Sequence, residues 1–500
     1  MKNITETQYD QLCDACDALL QNNANSFERN ANAFLHVIRE HPIFLNVYSA
    51  VFNKNGVSFF IHLIKLLFWN IIIGSYKLFH SIYRYYFLGD KLIKDKRVFE
   101  DVFISHFLND SFINHKRDFY FFDLPQKIAN TNKSSLQLYI NFTGQSSSKI
   151  QAIWKKRVTV SRALPRYLPL IQEIKIRGLM LHEAIKLLQS KTTSSFEKRI
   201  KFQAVIASFS SATHINYRIA FLVRHYIKQN GIKRIFTTYE GHPWERLIFA
   251  MAREIDPTIV CVGYQHAIVF RKQHAIRRKL TSNFEPNYIL CSGEHGKQQF
   301  EAINYLPSKY LLCFGSNRTI DCKQEQLAVE AKERKVFLML SEGDLIECIP
   351  LARFVVQLAK ENPSAHFVIR FHPITRVEDV LKAVPELVPL PKNIELSSLS
   401  FEEDLTRAHF AIYRGSTTII KAIQYGLIPL YYERPNEISI DPLYDIQKEK
   451  VNLTSIEDIE LLKQIPQKEL IKRQHKLIEY ASRFFSPLNY DEALKINKTV

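Results

Sequence analysis

Cysteine is sparse and shows no pairing pattern. Seven residues (Cys13, Cys16, Cys261, Cys291, Cys313, Cys322, Cys348) are scattered over 500 positions, four of them in or beside apolar runs. An odd, dispersed set argues against a disulfide-stapled secreted scaffold and for a reducing cytosol, where a thiol behaves as a small hydrophobe. The Cys13–Cys16 spacing is half of a metal or redox motif. It sits in the helix-like DQLCDACDAL with no second pair nearby, so an ordinary helix is expected. The start, MKNITETQYDQL, lacks the basic residues followed by an apolar segment that a secretory signal needs. No short repeat or low-complexity tract is present. No recognition helix, RNP-like run or zinc finger accompanies the positive charge, so nucleic acid is not expected as a partner.

Apolar residues make up 46% of the chain and charged residues 23%, enough for two or three buried cores. Lys and Arg number 67 against 50 Asp and Glu, a formal charge of +17. That excess calls for something anionic, either a phosphorylated small molecule or a membrane surface once nucleic acid is set aside.

Residues 1–97 read as a helical region without a catalytic cluster. Within it, 57–89 (VSFFIHLIKLLFWNIIIGSYKLFHSIYRYYFLG) is nearly long enough to span a bilayer, yet Lys65 and Asn70 interrupt its middle and Lys77, Arg84 and many tyrosines follow. This pattern favours an interfacial helix on an anionic membrane. A helix buried in the protein or against a partner and a single span are the alternatives. Residues 98–320 and 321–455 alternate short apolar strands with helices, which predicts α/β units built on parallel sheet. Residues 456–500 read as helices packing back on the core. The whole is a pair of similar α/β domains with a cleft between them.

In open parallel sheets ligands bind beyond the carboxyl ends of strands. The sharpest candidate is YRGSTT. Gly415 ends a strand, Ser416, Thr417 and Thr418 open a helix, and Arg414 adds a cation, so a phosphate is expected here; an ordinary cap is the plain alternative. In RFHPITR, Arg370, His372 and Arg376 converge at another strand end, with His372 placed to donate to a leaving phosphate oxygen. In the first domain, Glu240 of TYEGHPWE follows an apolar strand and is a candidate general base, provided its surroundings raise its pKa toward neutrality. Glu245 reads as a capping carboxylate and His242 as a buried, hydrogen-bonded histidine. His266 of GYQHA follows another strand and is a candidate contact to donor or acceptor. His106 and Asn109 are placed to line the acceptor side, while Asp118, Tyr120 and Asp123 order the next loop. No DxD stands near these sites, and Asp321, Asp344, Asp379 and Asp404 are isolated, so no metal and no further cofactor are expected.

GYQHA, RFHPITR, YRGSTTIIKAIQYGLIPLYYE and the two-domain pattern together resemble the bacterial surface-carbohydrate and capsule-polysaccharide glycosyltransferases, including the 3-deoxy-octulosonic acid transferases and the sialyltransferase-like families, over residues 98–450. The resemblance implies two Rossmann-like domains facing a cleft, a GT-B-like fold. His372-Pro373 and Ser416-Thr417 match the family's donor-binding elements, and Glu240-Gly241 its acidic base. Gln265-His266-Ala267 departs from the family's Gln-His-Gly. It further implies a nucleotide-sugar donor, with a CMP-activated acidic sugar preferred over UDP- or GDP-sugars. The acceptor would be a glycan or lipid-linked glycan of capsule or lipopolysaccharide synthesis, on the cytoplasmic face of the inner membrane. A sugar-nucleotide epimerase and a CDP-polyol phosphotransferase are the alternatives.

Overall fold

Two parallel sheets carry the chain, one in each half. The computed structural model describes residues 4–93, 97–107, 110–115, 117–130, 134–155, 157, 159–318 and 336–496. The first sheet holds β1 (Asp101–Phe107), β2 (Ser135–Asn141), β3 (Val160–Ala163), β4 (Arg234–Thr238), β5 (Val260–Gln265), β6 (Tyr288–Cys291) and β7 (Leu311–Cys313), in the order β3-β2-β1-β4-β5-β6-β7. The second holds β8 (Val336–Leu340), β9 (His366–Arg370), β10 (Ile394–Leu396), β11 (Phe410–Tyr413), β12 (Ile428–Tyr432) and β13 (Val451–Leu453), in the order β10-β9-β8-β11-β12-β13. Both follow the doubly wound Rossmann-like order, which reverses at β1/β4 and again at β8/β11. The expected α/β fold of two such domains is the one observed.

Burial explains why these segments are strands. β2, β4 and β5 are covered on both faces, as parallel strands require. Phe337 stacks between Phe367 and Phe410 on its two neighbouring strands, at centroid distances of 5.0 and 4.8 Å, which ties three strands together through side chains as well as the ladder. The edge strands β3 and β13 were not expected from the sequence. VTVSRALP and KVNLTS contain no apolar run, and only the neighbouring strand makes them extended.

The amino-terminal region shares a core with the first domain. The helix Glu6–Gln21 buries Leu12, Cys16 and Leu19 in a cluster with Leu187, Ile200 and Ala204, which lie on two helices, Leu170–Gln189 and Ser195–Ala207, inserted between β3 and β4. Cys13 and Cys16 are both on that buried face, and among the described residues no group of His, Cys, Asp and Glu could hold a metal.

Near the carboxyl end, the helix Gln467–Ser482 buries Leu470, Leu477 and Ala481 in the second domain's core. The chain then returns to the first sheet, where Ser486 N–H donates to Ser292 O (3.0 Å), Ser316 N–H to Ser486 O (2.8 Å) and Arg234 Nη1 to Ile496 O (2.8 Å). Gly315, at φ +89°, makes this return possible, because a Cβ there would lie 2.2 Å from Pro487 O.

Candidate functional site

A parallel sheet opens a crevice where its strand order reverses, and both reversals here carry polar residues. At the first, β4 runs into Tyr239 and Glu240. Tyr239 is fully buried and its hydroxyl meets Tyr305 (2.6 Å) and Glu285 (3.1 Å), with Arg246 paired to Glu285 behind them. This network fixes the strand end. Gly241 then turns the chain at φ +82°, pressed so close to Ala275 that a Cβ would sit 2.4 Å from its carbonyl.

The turn brings His242 Nε2 to 3.3 Å from Glu240 Oε2, each side chain retaining 29% of its surface. His242, read from the sequence as a buried structural residue, stands beside the candidate base. Burial pushes the Glu240 carboxyl up, but the hydrogen bond from His242 and the charges that His266, His242 and His106 carry in acid outweigh it and hold the group well below the usual carboxylate range. Burial pushes His242 down, and its bond to Glu240 with the charges of Glu245 and Glu240 raises it overall. At neutral pH Glu240 is therefore ionised and oriented, but its pKa moves away from neutrality, opposite to the upward shift expected of a general base.

Glu245 behaves as the cap expected of it. It accepts the N–H of Glu240 (3.0 Å) and of His242 (2.8 Å), closing the turn from below. Burial, the larger influence, and the Glu240 charge push its carboxyl up to about 8 against the opposing pull of His242 and the two N–H donors. A carboxyl raised in the folded state adds stability below its ordinary value of 4.5 and loses it as pH climbs toward about 8. Glu245→Gln is expected to flatten the decline in unfolding free energy across that interval, measured by urea titration at each pH.

Around this pair stand His106 at the end of β1, Tyr120, and His266 after β5. Tyr120 OH lies 2.8 Å from His106 Nε2, and its ring meets His266 edge-on at 4.5 Å. Burial pushes both histidines down to about 4, so neutral imidazoles wall the carboxylate. Tyr120, read from sequence as a loop-ordering residue, is part of this wall. Asp118 does order the loop, accepting from Ser105 Oγ (2.6 Å) and from the N–H groups of Tyr120 and Phe121 (2.8 and 2.7 Å). Gln265 packs behind the site, its amide 3.3 Å from Ser292 Oγ. Asn109 lies outside the described residues.

At the second reversal three strand ends meet. Ser341, Glu342 and Gly343 follow β8, His372 follows β9, and Gly415 to Thr418 follow β11. His372 N–H donates to Ser341 Oγ (2.9 Å), and Ile374 N–H donates to His372 Nδ1 (3.3 Å). With Nδ1 accepting, the proton of the neutral ring is on Nε2. Burial lowers the His372 pKa, opposed by Glu342. Ser416 Oγ and Thr418 Oγ1 are 2.7 Å apart, and the helix they precede, Ile419–Gln424, is only six residues long. Asp344 caps the longer helix Leu345–Glu361 by accepting from Ile346 N–H (2.7 Å), which places a carboxylate at that N-terminus.

The arginines depart from expectation. Arg414 is 2% exposed and spends its guanidinium on Glu347 (2.6 Å) and Glu437 (2.7 Å). It holds its loop from behind, because a buried guanidinium needs carboxylate partners. Arg370 turns along the sheet to Asp404 (2.7 Å) and Leu399 O (2.9 Å). Arg376 is exposed at the start of the helix Val377–Ala383. The Ser-Glu-Gly after β8 was passed over in the sequence, although the same strand-end filter selects it. Glu342 leans over Gly415, where a Cβ would sit 2.0 Å from Oε1.

The two reversals are linked by residues 38–41. His41 Nε2 meets Glu342 Oε2 at 2.5 Å, Lys272 N–H donates to Glu40 Oε1 (2.9 Å), and Ala275 N–H donates to Ile38 O (3.2 Å) beside Gly241. Farther along the seam Arg277 Nη2 reaches Tyr444 OH (2.9 Å) and His295 reaches Asp445 (3.0 Å). An oriented carboxylate thus stands on one side of the seam, and a hydroxyl turn with a neutral imidazole donor on the other.

No family model matches the chain, and no curated protein matches it by sequence. Among solved structures it is similar to a glycotransferase of kitacinnamycin (TM-score 0.43, 11% identity, covering 78% of this chain and 97% of that one). A glycosyltransferase from Rickettsia africae gives TM-score 0.44 at 11% identity over 80% of this chain and 100% of that one. A UDP-GlcNAc 2-epimerase from Neisseria meningitidis bound to UDP-GlcNAc gives TM-score 0.40 at 13% identity over 78% and 95%.

Proposed function

We propose that this chain is a nucleotide-sugar-dependent glycosyltransferase working without a metal. The observation that carries the reading is the pairing of unlike polar sets at the two strand-order reversals: Glu240 with His242 on the first sheet, and His372 with Ser416, Thr417 and Thr418 on the second. The second set would hold the donor phosphate, with Arg376 at its rim. An acceptor hydroxyl would attack the anomeric carbon, its proton passing to Glu240, while the bond from that carbon to the phosphate oxygen breaks and the His372 Nε2–H stabilises the departing oxygen. His266 would line the acceptor side. The preferred donor is a CMP-linked acidic sugar, and the acceptor a membrane-proximal surface glycan at the cytoplasmic face.

The test offers the chain CMP-, UDP- and GDP-sugars with and without a glycan acceptor. Release of free nucleotide that requires acceptor and survives EDTA is the expected result. An isomerised nucleotide-sugar without acceptor would make the protein an epimerase, and CMP release from a CDP-polyol a phosphotransferase. His372→Ala is expected to weaken donor use by about tenfold, the cost of one hydrogen bond to a charged oxygen, seen as a raised KM for donor.

A further inference from the structure

The helix Gly56–Ile82 continues through Tyr83–Phe87 as one apolar rod. Its inner side is fastened to the first domain at several levels. Asn70 Nδ2 donates to Ile206 O (3.1 Å), Arg177 Nη2 to Gly74 O (2.6 Å), and His80 Nδ1 meets Tyr167 OH (2.9 Å). A helix held along its length by polar contacts to a folded domain is not surrounded by lipid, so it does not span, although at about 1.5 Å per residue its length would suffice.

Its outer side is bare. Phe60, Ile64, Phe68, Ile72, Tyr76 and Phe79 recur at helical spacing, and Phe68 and Phe79 are 63% and 71% exposed. The helix Leu170–Gln189 packs beside it and has its own exposed stripe of Ile171, Ile174, Leu181, Ile185 and Leu188. Soluble surfaces rarely leave so long an apolar run uncovered.

Charge identifies what covers it. Over residues 56–90 and 170–189 the acidic residues are Asp90, Glu173 and Glu183, and all three are buried, against Arg84, His214 and Arg29 respectively. The exposed part of both helices therefore carries no carboxylate, while Lys65 and Lys175 are exposed on it. Not every cation expected at the surface is there. Arg84 is buried on Asp90, and Lys77 is half-buried, its pKa lowered by burial and by the neighbouring Arg218, Arg166 and Arg177. An apolar face with aromatic residues, outward lysines and no exposed carboxylate is complementary to the interface of an anionic bilayer.

We infer that the outer faces of Gly56–Phe87 and Leu170–Gln189 form one docking surface for an anionic lipid bilayer, with the first helix lying in the plane of the interface. The inference is independent of the reaction proposed above. It is tested by co-sedimentation of the full chain with phosphatidylcholine vesicles, with and without about one-third phosphatidylglycerol. The wild type is expected to pellet with the anionic vesicles and to release in high salt. Phe68→Glu/Phe79→Glu is expected to lower the bound fraction about tenfold or more, and Ile171→Glu/Leu181→Glu to lower it as well. Both pairs are exposed, so unchanged circular dichroism is expected and separates lost docking from lost folding. Equal sedimentation of wild type and both variants would overturn the inference. So would a lipid-free dimer in sedimentation velocity that the Phe68/Phe79 variant dissolves, since a second copy would then cover the face.

Discussion

If Glu240 is the proposed base, Glu240→Gln is expected to lower turnover by about 10²- to 10⁴-fold, the range for loss of a positioned general base, while the dissociation constant for donor is expected to stay within about twofold of wild type. The split follows from the geometry. Glu240 belongs to the β4 turn of the first sheet, whereas the proposed donor contacts belong to the loops after β8, β9 and β11 of the second. The glutamine keeps the size and one acceptor oxygen, so the turn below, closed by Glu245 through the N–H groups of Glu240 and His242, is undisturbed. The measurement is steady-state kinetics beside donor titration by calorimetry. Wild-type turnover in this variant would remove Glu240 as the base and shift attention to His242, which shares the same edge of the cleft.

Gly241→Ala is the second large effect. A side chain at φ +82° is strained by about 1–2 kcal/mol, and its Cβ would meet the backbone of Ala275 and Ile276 at 2.4–2.5 Å, where no side-chain rotation gives relief. Overpacking of this kind adds about 1–3 kcal/mol, so a stability loss of about 3 kcal/mol is expected from urea unfolding. The turn can avoid that cost only by moving Glu240 and His242 away from each other, and the activity falls with it. Gly178→Ala, at a helical glycine whose Cβ would have nothing within 4 Å, is the matched control and is expected to be neutral or slightly stabilising.

Much of the fold was legible because burial on both faces leaves a plain mark on parallel strands. KRIFTTY, TIVCVG, KVFLMLS and HFAIY are apolar runs bounded by polar stretches, and each is a strand in the structure. β3 and β13 left no such mark, since an edge strand of three or four residues is extended by its neighbour more than by its own composition. At the candidate site, position along the chain placed Glu240, His372 and Ser416 just beyond the ends of β4, β9 and β11, as read from the sequence. It did not predict where the guanidiniums of Arg370, the last residue of β9, and Arg414, the first after β11, would go, because adjacency says nothing about which way a long side chain turns. Their carboxylate partners, Asp404, Glu347 and Glu437, lie 23–67 positions away in the chain.

The same division explains the positive charge with which the sequence is so liberally endowed. Composition determined that an excess of +17 exists, strand periodicity determined two α/β halves, and the uninterrupted lack of acid from Gly56 to Gly89 determined an unusual helix. Only the tertiary structure decided which charges are available. It paired Arg84, Arg234, Arg246 and Arg414 with buried carboxylates, left Lys65 and Lys175 outward, and brought His242 to Glu240. A charge in a protein acts through the distance to its partner and the water it has lost, and both are set by residues remote in the chain.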